Sequence, residues 1–485
     1  MAGTTHSKSI RTISPVPFIS QVLTSLIPSF LRRKTTSAPT PAHASSSNNQ
    51  SRSKSTALDG LRGLAAFIVM NGHYFSTFYE INDGRYKHYL HIPFISFFVS
   101  AHAMVSIFFV ISGYVLSIKT LRLAKQRQWA SLNHCLASSV FRRGLRLFLP
   151  CMVALWLSAF ALKLGFYERT RHFTWQLPPK PETWTGALAL WASSVRVLMY
   201  AFRWDLPMVP LSHPLWTIGA EFRGSMVVFL MLMAVVRIRS DWVVLLCLVG
   251  TMVWAGSADR WELVAFLAGT AVALGNMMVD AWGDCTRGDC EVGLPAQDEV
   301  MPFLETEKPA ADRHRNLGAL SRNCLWVVFL AMSLYLLTYP PTMAWETPGY
   351  RTLGRLSVRF YSQEMRGPQG IGAILIVFAA TNNSLISQIL NLPPIQYLGN
   401  ISYSLYIVHD PLLKLVVYRV VENIWLYIGP EAAAKGAVGY VGAIVVGYGL
   451  LLVCVFCTAD VFWRAVDAKS VVWSRKVEKW VFMSE

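Results

Sequence analysis

Apolar residues run in long blocks along most of this chain, and polar residues gather between the blocks. From about residue 57 onward, stretches near 20 residues long carry almost no charge: 58–79, 96–118, 145–165, 215–236, 242–257, 260–279, 323–342, 369–389, 403–421 and 437–461. A helix of about 20 apolar residues spans a hydrocarbon core of roughly 30 Å. The pattern predicts an all-α integral membrane protein with about ten transmembrane helices and both termini on one side. One more apolar stretch, "WTGALALWASSVRVLMYAFRW" at 184–204, contains Arg196 and Arg203 and is followed by Asp205. It reads as a re-entrant or interfacial helix on the non-cytosolic side. No internal repeat is visible, which argues against an inverted-repeat transporter.

The polar segments set the domain organisation. Residues 1–56 are rich in Ser, Thr and Pro, with several Lys and Arg and no Asp or Glu. That is the composition of a mostly disordered cytosolic tail, and also of a transit peptide. Within it, "PFISQVLTSLIPSFLRRK" is apolar with a basic end and suits a membrane surface. Residues 57–463 form the multi-pass domain. Its segment 280–322 mixes acids with Pro, Gly and Arg and reads as a flexible cytosolic loop. Residues 464–485 read as a second cytosolic tail.

Composition narrows the class. The 485 residues are 53% hydrophobic and 15% charged, whereas soluble domains carry about 25% charged residues. A soluble globule is excluded. The formal net charge of +16 is spread over tails and short loops rather than on a basic domain, so nucleic acid is not the expected partner. Membrane lipids are, and the basic residues report orientation. Roughly twice as many Lys and Arg fall on the tail side as on the other, which makes the tail side cytosolic. Residues 119–146 contribute most, with seven Lys and Arg and no acid. Arg351, Arg355, Arg359 and Arg366, in a loop placed outside, oppose this orientation. The expected location is an endomembrane or the plasma membrane. The eight cysteines are scattered. Cys285 and Cys290 flank "CTRGDC", a spacing that fits no zinc pattern, and no metal is expected.

Ionisable residues inside the apolar blocks are the candidates for chemistry, because such groups are costly in lipid. The first block, "LDGLRGLAAFIVMNGHYF", holds Arg62 and His73. Eleven residues apart, they share a helix face and stand about 16 Å apart along the axis. Ala65, Ala66 and Val69 between them are small enough to leave a path for something thin. In "SHPLWTIGAEFRGSM", counting from the outer edge puts Glu221 near the depth of His73, where a carboxylate would favour the imidazolium and strengthen the base. "FRRGLRLFLP" places Arg142, Arg143 and Arg146 at the mouth of the third block, a cluster suited to phosphate. Small residues Ser112 and Gly113 in "IFFVISGYVLS" allow close helix contact. In "ISYSLYIVHDPLL", His409 and Asp410 point in different directions on a helix, and with no partner identifiable His409 reads as structural. Each group also has a bland reading: Arg62 as a snorkelling anchor, the arginine cluster as positive-inside anchoring, His73 as a core histidine, Glu221 as a local cap.

Taken in order, these motifs resemble the membrane-bound acyltransferase 3 family, in its fungal-type branch. The first block is similar to the family's arginine, ten residues, histidine pattern. "FFVISGYVLS", "FRRGLRLFLP", "LWTIGAEFRGSM" and "LGNISYSLYIVHDPL" resemble its later signatures, from about residue 57 to 415. The resemblance implies transfer of an acyl group, often acetyl, from cytosolic acyl-CoA to a hydroxyl. It implies His73 as general base, Arg62 as a positioning group, Arg142, Arg143 and Arg146 on the CoA phosphates, and Glu221 in support. No extracytoplasmic hydrolase-like domain is visible, which points away from a large polysaccharide acceptor. A lipid, a sugar and a small metabolite stay open, as does the oligomeric state. A proton-coupled transporter or lipid carrier using the same charged residues is the competing reading.

Overall fold

A computed structural model describes residues 28–29, 46–79, 89–167, 178–205, 207–286, 311–356 and 361–482, with side chains left undescribed at 46–53, 283–286 and 311–323. Among the described residues the chain is helical throughout, with no strand. The helices are α1 (Ser46–Phe78), α2 (Ala101–Lys125), α3 (Trp129–Leu164), α4 (Trp184–Leu198), α5 (Trp216–Val235), α6 (Asp241–Ser257), α7 (Trp261–Thr286), α8 (Ala311–Leu337), α9 (Arg351–Leu356), α10 (Arg366–Asn382), α11 (Ser384–Leu390), α12 (Pro393–Leu412), α13 (Tyr418–Ile428), α14 (Val438–Phe462) and α15 (Ala468–Val481). Single π turns, Leu413–Val417 and Trp463–Asp467, join α12 to α13 and α14 to α15. Helices are the economical answer to an apolar surround, since each satisfies its own backbone groups.

Helix lies on each of the ten predicted apolar stretches, but fewer qualify as spans. Among the described residues five helices are long and apolar enough to cross a membrane, or six if α10 and α11, bent by 95° at their junction, make one span. Asn383 makes that bend: its side chain accepts from the Ile386 N–H at 3.0 Å and starts a new helix in a new direction. The outer faces are apolar. Trp242 and Leu246 are each 70% exposed, an arrangement suited to lipid contact.

α1 stands at the centre, packed on α2 and α12. Glycines permit the approach. A methyl at Gly63 would collide with Leu398 and Gly399 of α12, and one at Gly113 of α2 would collide with the carbonyl of Phe266 on α7. The small residues singled out in the second block thus set the α2–α7 crossing.

Three segment boundaries differ from the sequence reading. α1 begins at Ser46 rather than near 57, because the Ser/Asn-rich lead-in continues the helix. The 280–322 segment is not loop from end to end: α7 runs on to Thr286 and α8 starts at Ala311, with 287–310 outside the described residues. The 464–485 segment continues α14 through a π turn into α15, which packs on α3. The 184–204 stretch is a helix of 15 residues, too short to span, also packed on α3. Most of the 1–56 tail, and Cys290, lie outside the described residues. Of the arginines that opposed the orientation, Arg366 is buried with its guanidinium 3.8 Å from the Trp261 ring centroid, while Arg359 lies outside the described residues.

Candidate active site

Polar side chains from α1, α2, α3, α5 and α12 meet around a cavity of about 160 Å³. Arg62, Arg143, Arg146, Glu221, Tyr406 and Asp467 are among its lining. Arg143 donates from Nη2 to Glu221 Oε1 at 2.7 Å and from Nε to Ser225 Oγ at 3.0 Å. Ser112 Oγ donates to the same Glu221 oxygen at 3.2 Å. Arg62 donates from Nε to Ser402 Oγ at 3.2 Å, and its Nη2 lies 3.4 Å from Asp59 Oδ1. Three guanidiniums therefore converge on one space, those of Arg62 and Arg143 held by hydroxyl and carboxylate partners. An anion entering the cavity would meet arginine donors already held in place.

Arg142 is not among the lining residues. Its Nε lies 3.2 Å from Glu478 Oε2 of α15. The predicted cluster of three thus divides, with Arg143 and Arg146 in the cavity and Arg142 on the C-terminal helix.

One stripe of α12 leads onward. Ser402, Tyr406 and His409 stand four and three residues apart, so they share a helix face and cover about 10 Å of its axis. Tyr406 is fixed by donating its O–H to the Pro214 carbonyl at 2.9 Å and by a 2.7 Å hydroxyl contact with Thr217. The His409 ring is 5.7 Å from Tyr406 and 5.2 Å from His73, stacked on the latter at 29° between planes. His409 Nδ1 lies 3.3 Å from the Leu405 carbonyl. A carbonyl only accepts, so Nδ1 carries the proton and Nε2 carries a lone pair. Buried Nε2 has no hydrogen-bond partner among the described residues. One turn beyond, Lys414 Nζ donates to Asp410 Oδ2 at 2.8 Å in a buried ion pair.

His73 therefore meets His409 rather than Glu221. The depth count failed because α5 does not begin at an outer surface. Ser212, Pro214 and Leu215 are buried, and Thr217 already touches Tyr406. Glu221, one turn further along, stands at the Arg62 end of the cavity. Ala65, Ala66 and Val69 do not line a path either; they are packed in the core, and the cavity follows α12 and α2 instead. The sequence did hold a signal for His409, in polar positions repeating along one face of an otherwise apolar helix. Among the described residues no group of three or more His, Cys, Asp or Glu side chains gathers as a metal site would.

Residues 55–459 match the family described as the acyltransferase domain, Acyl_transf_3. The chain belongs to the acyltransferase 3 family. This acyltransferase is 26% identical over 451 residues to "O-acetyltransferase PaAT-1" of Phomopsis amygdali, covering 88% of the chain and 84% of that protein. It is 25% identical over 460 residues to "Acyltransferase clz18" of Cochliobolus lunatus, covering 85% and 93%. It is 26% identical over 473 residues to "Acyltransferase R4" of a Phoma species, covering 86% and 94%. No solved structure matches the chain. The acyltransferase is a helical membrane protein and a transferase enzyme.

Proposed function

We propose that this acyltransferase moves an acyl group, acetyl foremost, from acyl-CoA to a hydroxyl of a small-molecule, lipid or sugar acceptor. One observation carries the reading: the α12 stripe joins an arginine-lined cavity to the stacked pair His73–His409. Arg62, Arg143 and Arg146 would hold the phosphates of the donor, and the thioester arm would extend past Tyr406. The similarity to the Phomopsis O-acetyltransferase supports acetyl as the group.

In this mechanism the acceptor oxygen attacks the thioester carbonyl while His73 takes the hydroxyl proton. The carbon–oxygen bond forms and the carbon–sulfur bond breaks. The same proton then goes to the departing sulfur, so free CoA leaves as a thiol. His409 stacks on His73 and sets its orientation. Glu221 acts indirectly, by holding Arg143 in the cavity wall. Donor entry from the cytosol follows if residues 1–56 and the C-terminal helix are cytosolic, in an endomembrane or the plasma membrane. Two contacts support tails on a common side: the Ser29 N–H donates to Asp460 at 3.0 Å, and Arg142 pairs with Glu478.

The test is transfer of label from radiolabelled acetyl-CoA to an extract of the native host by the purified full chain. Labelled product with the wild type and none with His73→Ala supports the reading. Proton-coupled flux of a solute without CoA release would replace it with the transporter reading.

A further inference from the structure

A second cavity, of about 620 Å³, opens where α2 ends and α6 begins. It shares no lining residue with the arginine-lined cavity. Its floor is apolar, with Leu121, Val235, Val244 and Leu274, while Lys125, Arg127, Arg237 and Arg239 carry its charge. Asp241 is the acid in the lining, and Lys125 occupies it at 2.9 Å. Arg237 lies 5.6 Å from the ring centroid of Trp129. Arg127 and Arg239 have no carboxylate partner among the described residues.

These cations are not needed to close the helix ends. The last carbonyls of α2 accept from the backbone N–H groups of Gln126, Arg127 and Gln128, and those of α5 from Val236 and Ile238. Arg127 itself has φ 55. It occupies the left-handed position just past a helix, where glycine fits without strain and a long side chain does not. An arginine held there against its backbone preference implies use of the guanidinium. The adjoining face of α6 is built for lipid, with Trp242 and Leu246 70% exposed. Trp129 and Trp242 also suit the interfacial depth, where indole rings concentrate.

We propose that this cavity binds the phosphate head of an anionic phospholipid, Arg127, Arg237 and Arg239 taking the phosphate oxygens. Guanidiniums match phosphate geometry, and basic pockets between membrane helices select such heads. The apolar floor and the neighbouring lipid-facing helix favour a lipid over a free anion, because they would cover the carbon next to the phosphate. The site is independent of the acyl-transfer reading.

Native mass spectrometry of the full chain in detergent tests it. The protein is offered equal amounts of phosphatidic acid and phosphatidylcholine with matched chains. The expected result is a phosphatidic acid preference of about tenfold, reduced towards parity by Arg127→Gly with Arg239→Gln. Arg127→Gly alone should keep or raise the melting temperature, since it relaxes the backbone, so a lost preference in that variant is not misfolding. Arg237→Gln provides a second route to the same loss. An undiminished preference in these variants overturns the site. Displacement of the lipid by millimolar inorganic phosphate, with no preference between lipids, overturns the lipid assignment.

Discussion

The Nδ1–H of His409 is committed to the Leu405 carbonyl, so only Nε2 and the ring face are available to a neighbour, and the neighbour at 5.2 Å is His73. If His73 takes the proton and His409 orients it, the two substitutions should not add, because both disable one step. We expect His73→Ala to lower kcat by about 10²–10⁴-fold, the usual worth of a general base. His409→Gln should lower kcat less and leave KM for acetyl-CoA unchanged, and the double variant should be no slower than His73→Ala. Steady-state kinetics on the four proteins decides; additive losses would assign the rings separate steps. The arginines offer a sharper contrast, since Arg142 and Arg146 are one turn apart yet differ in surroundings. Arg146→Ala should raise KM for acetyl-CoA by about 10- to 100-fold, the loss of one charge-assisted hydrogen bond, while Arg142→Ala should stay within about twofold. Equal effects would return Arg142 to the donor site.

Between elements, the most buried ion pair among the described residues lies away from the cavity. Arg223 of α5 and Glu262 of α7 meet at 2.7 Å with side chains 3% and 6% exposed. Arg223 also donates to the Arg203 carbonyl at 2.6 Å and lies 4.8 Å from the Trp204 ring centroid. Glu262→Ala would leave a guanidinium buried without its counter-ion, at a cost of about 3–5 kcal/mol. A fall in detergent melting temperature, larger for Ala than for Gln, is the expected outcome; an unchanged value would mean that water replaces the carboxylate. Glu221 and Arg223 also show what a sequence discloses about a site. Two residues apart on one helix, they look like one motif, yet one faces the cavity and the other a clamp to α7. Hydrophobic periodicity located the helices and singled out Arg62 and His73 as ionisable groups inside one. It gave the face a residue takes on its own helix but not which neighbour that face meets, so the pairings Arg143–Glu221 and His73–His409 were legible only once the helices were packed. Depth was misread for a related reason: an irregular, buried lead-in moved the start of α5 inward, and counting from an assumed outer edge did not register it.

At the scale of the whole molecule, contacts between distant segments define two ends. At one, Gln396 donates to the Thr56 carbonyl at 2.8 Å, Lys54 pairs with Asp280 at 3.0 Å, and Arg142 pairs with Glu478. At the other, Tyr440 donates to the Phe78 carbonyl at 3.2 Å, and Gly72 abuts Val99 and Ala101 so closely that a methyl there would collide. The basic residues of 119–146 belong to the first end, so the positive-inside rule predicts that this end faces the cytosol. Lys476 of α15 is exposed at the first end, and Glu431, between α13 and α14, is exposed at the second. Single cysteines at these positions, with all eight native cysteines replaced, report the orientation in sealed microsomes whose cytosolic face is outward. Lys476→Cys should react with a membrane-impermeant maleimide at once, and Glu431→Cys only after detergent opens the vesicles. The reverse order would place the arginine-lined mouth on the side that cytosolic acyl-CoA does not reach, and the donor assignment would fall with it. Reaction of both sites before detergent would mean that α13 and α14 do not carry the chain across, so that the second end is not lumenal.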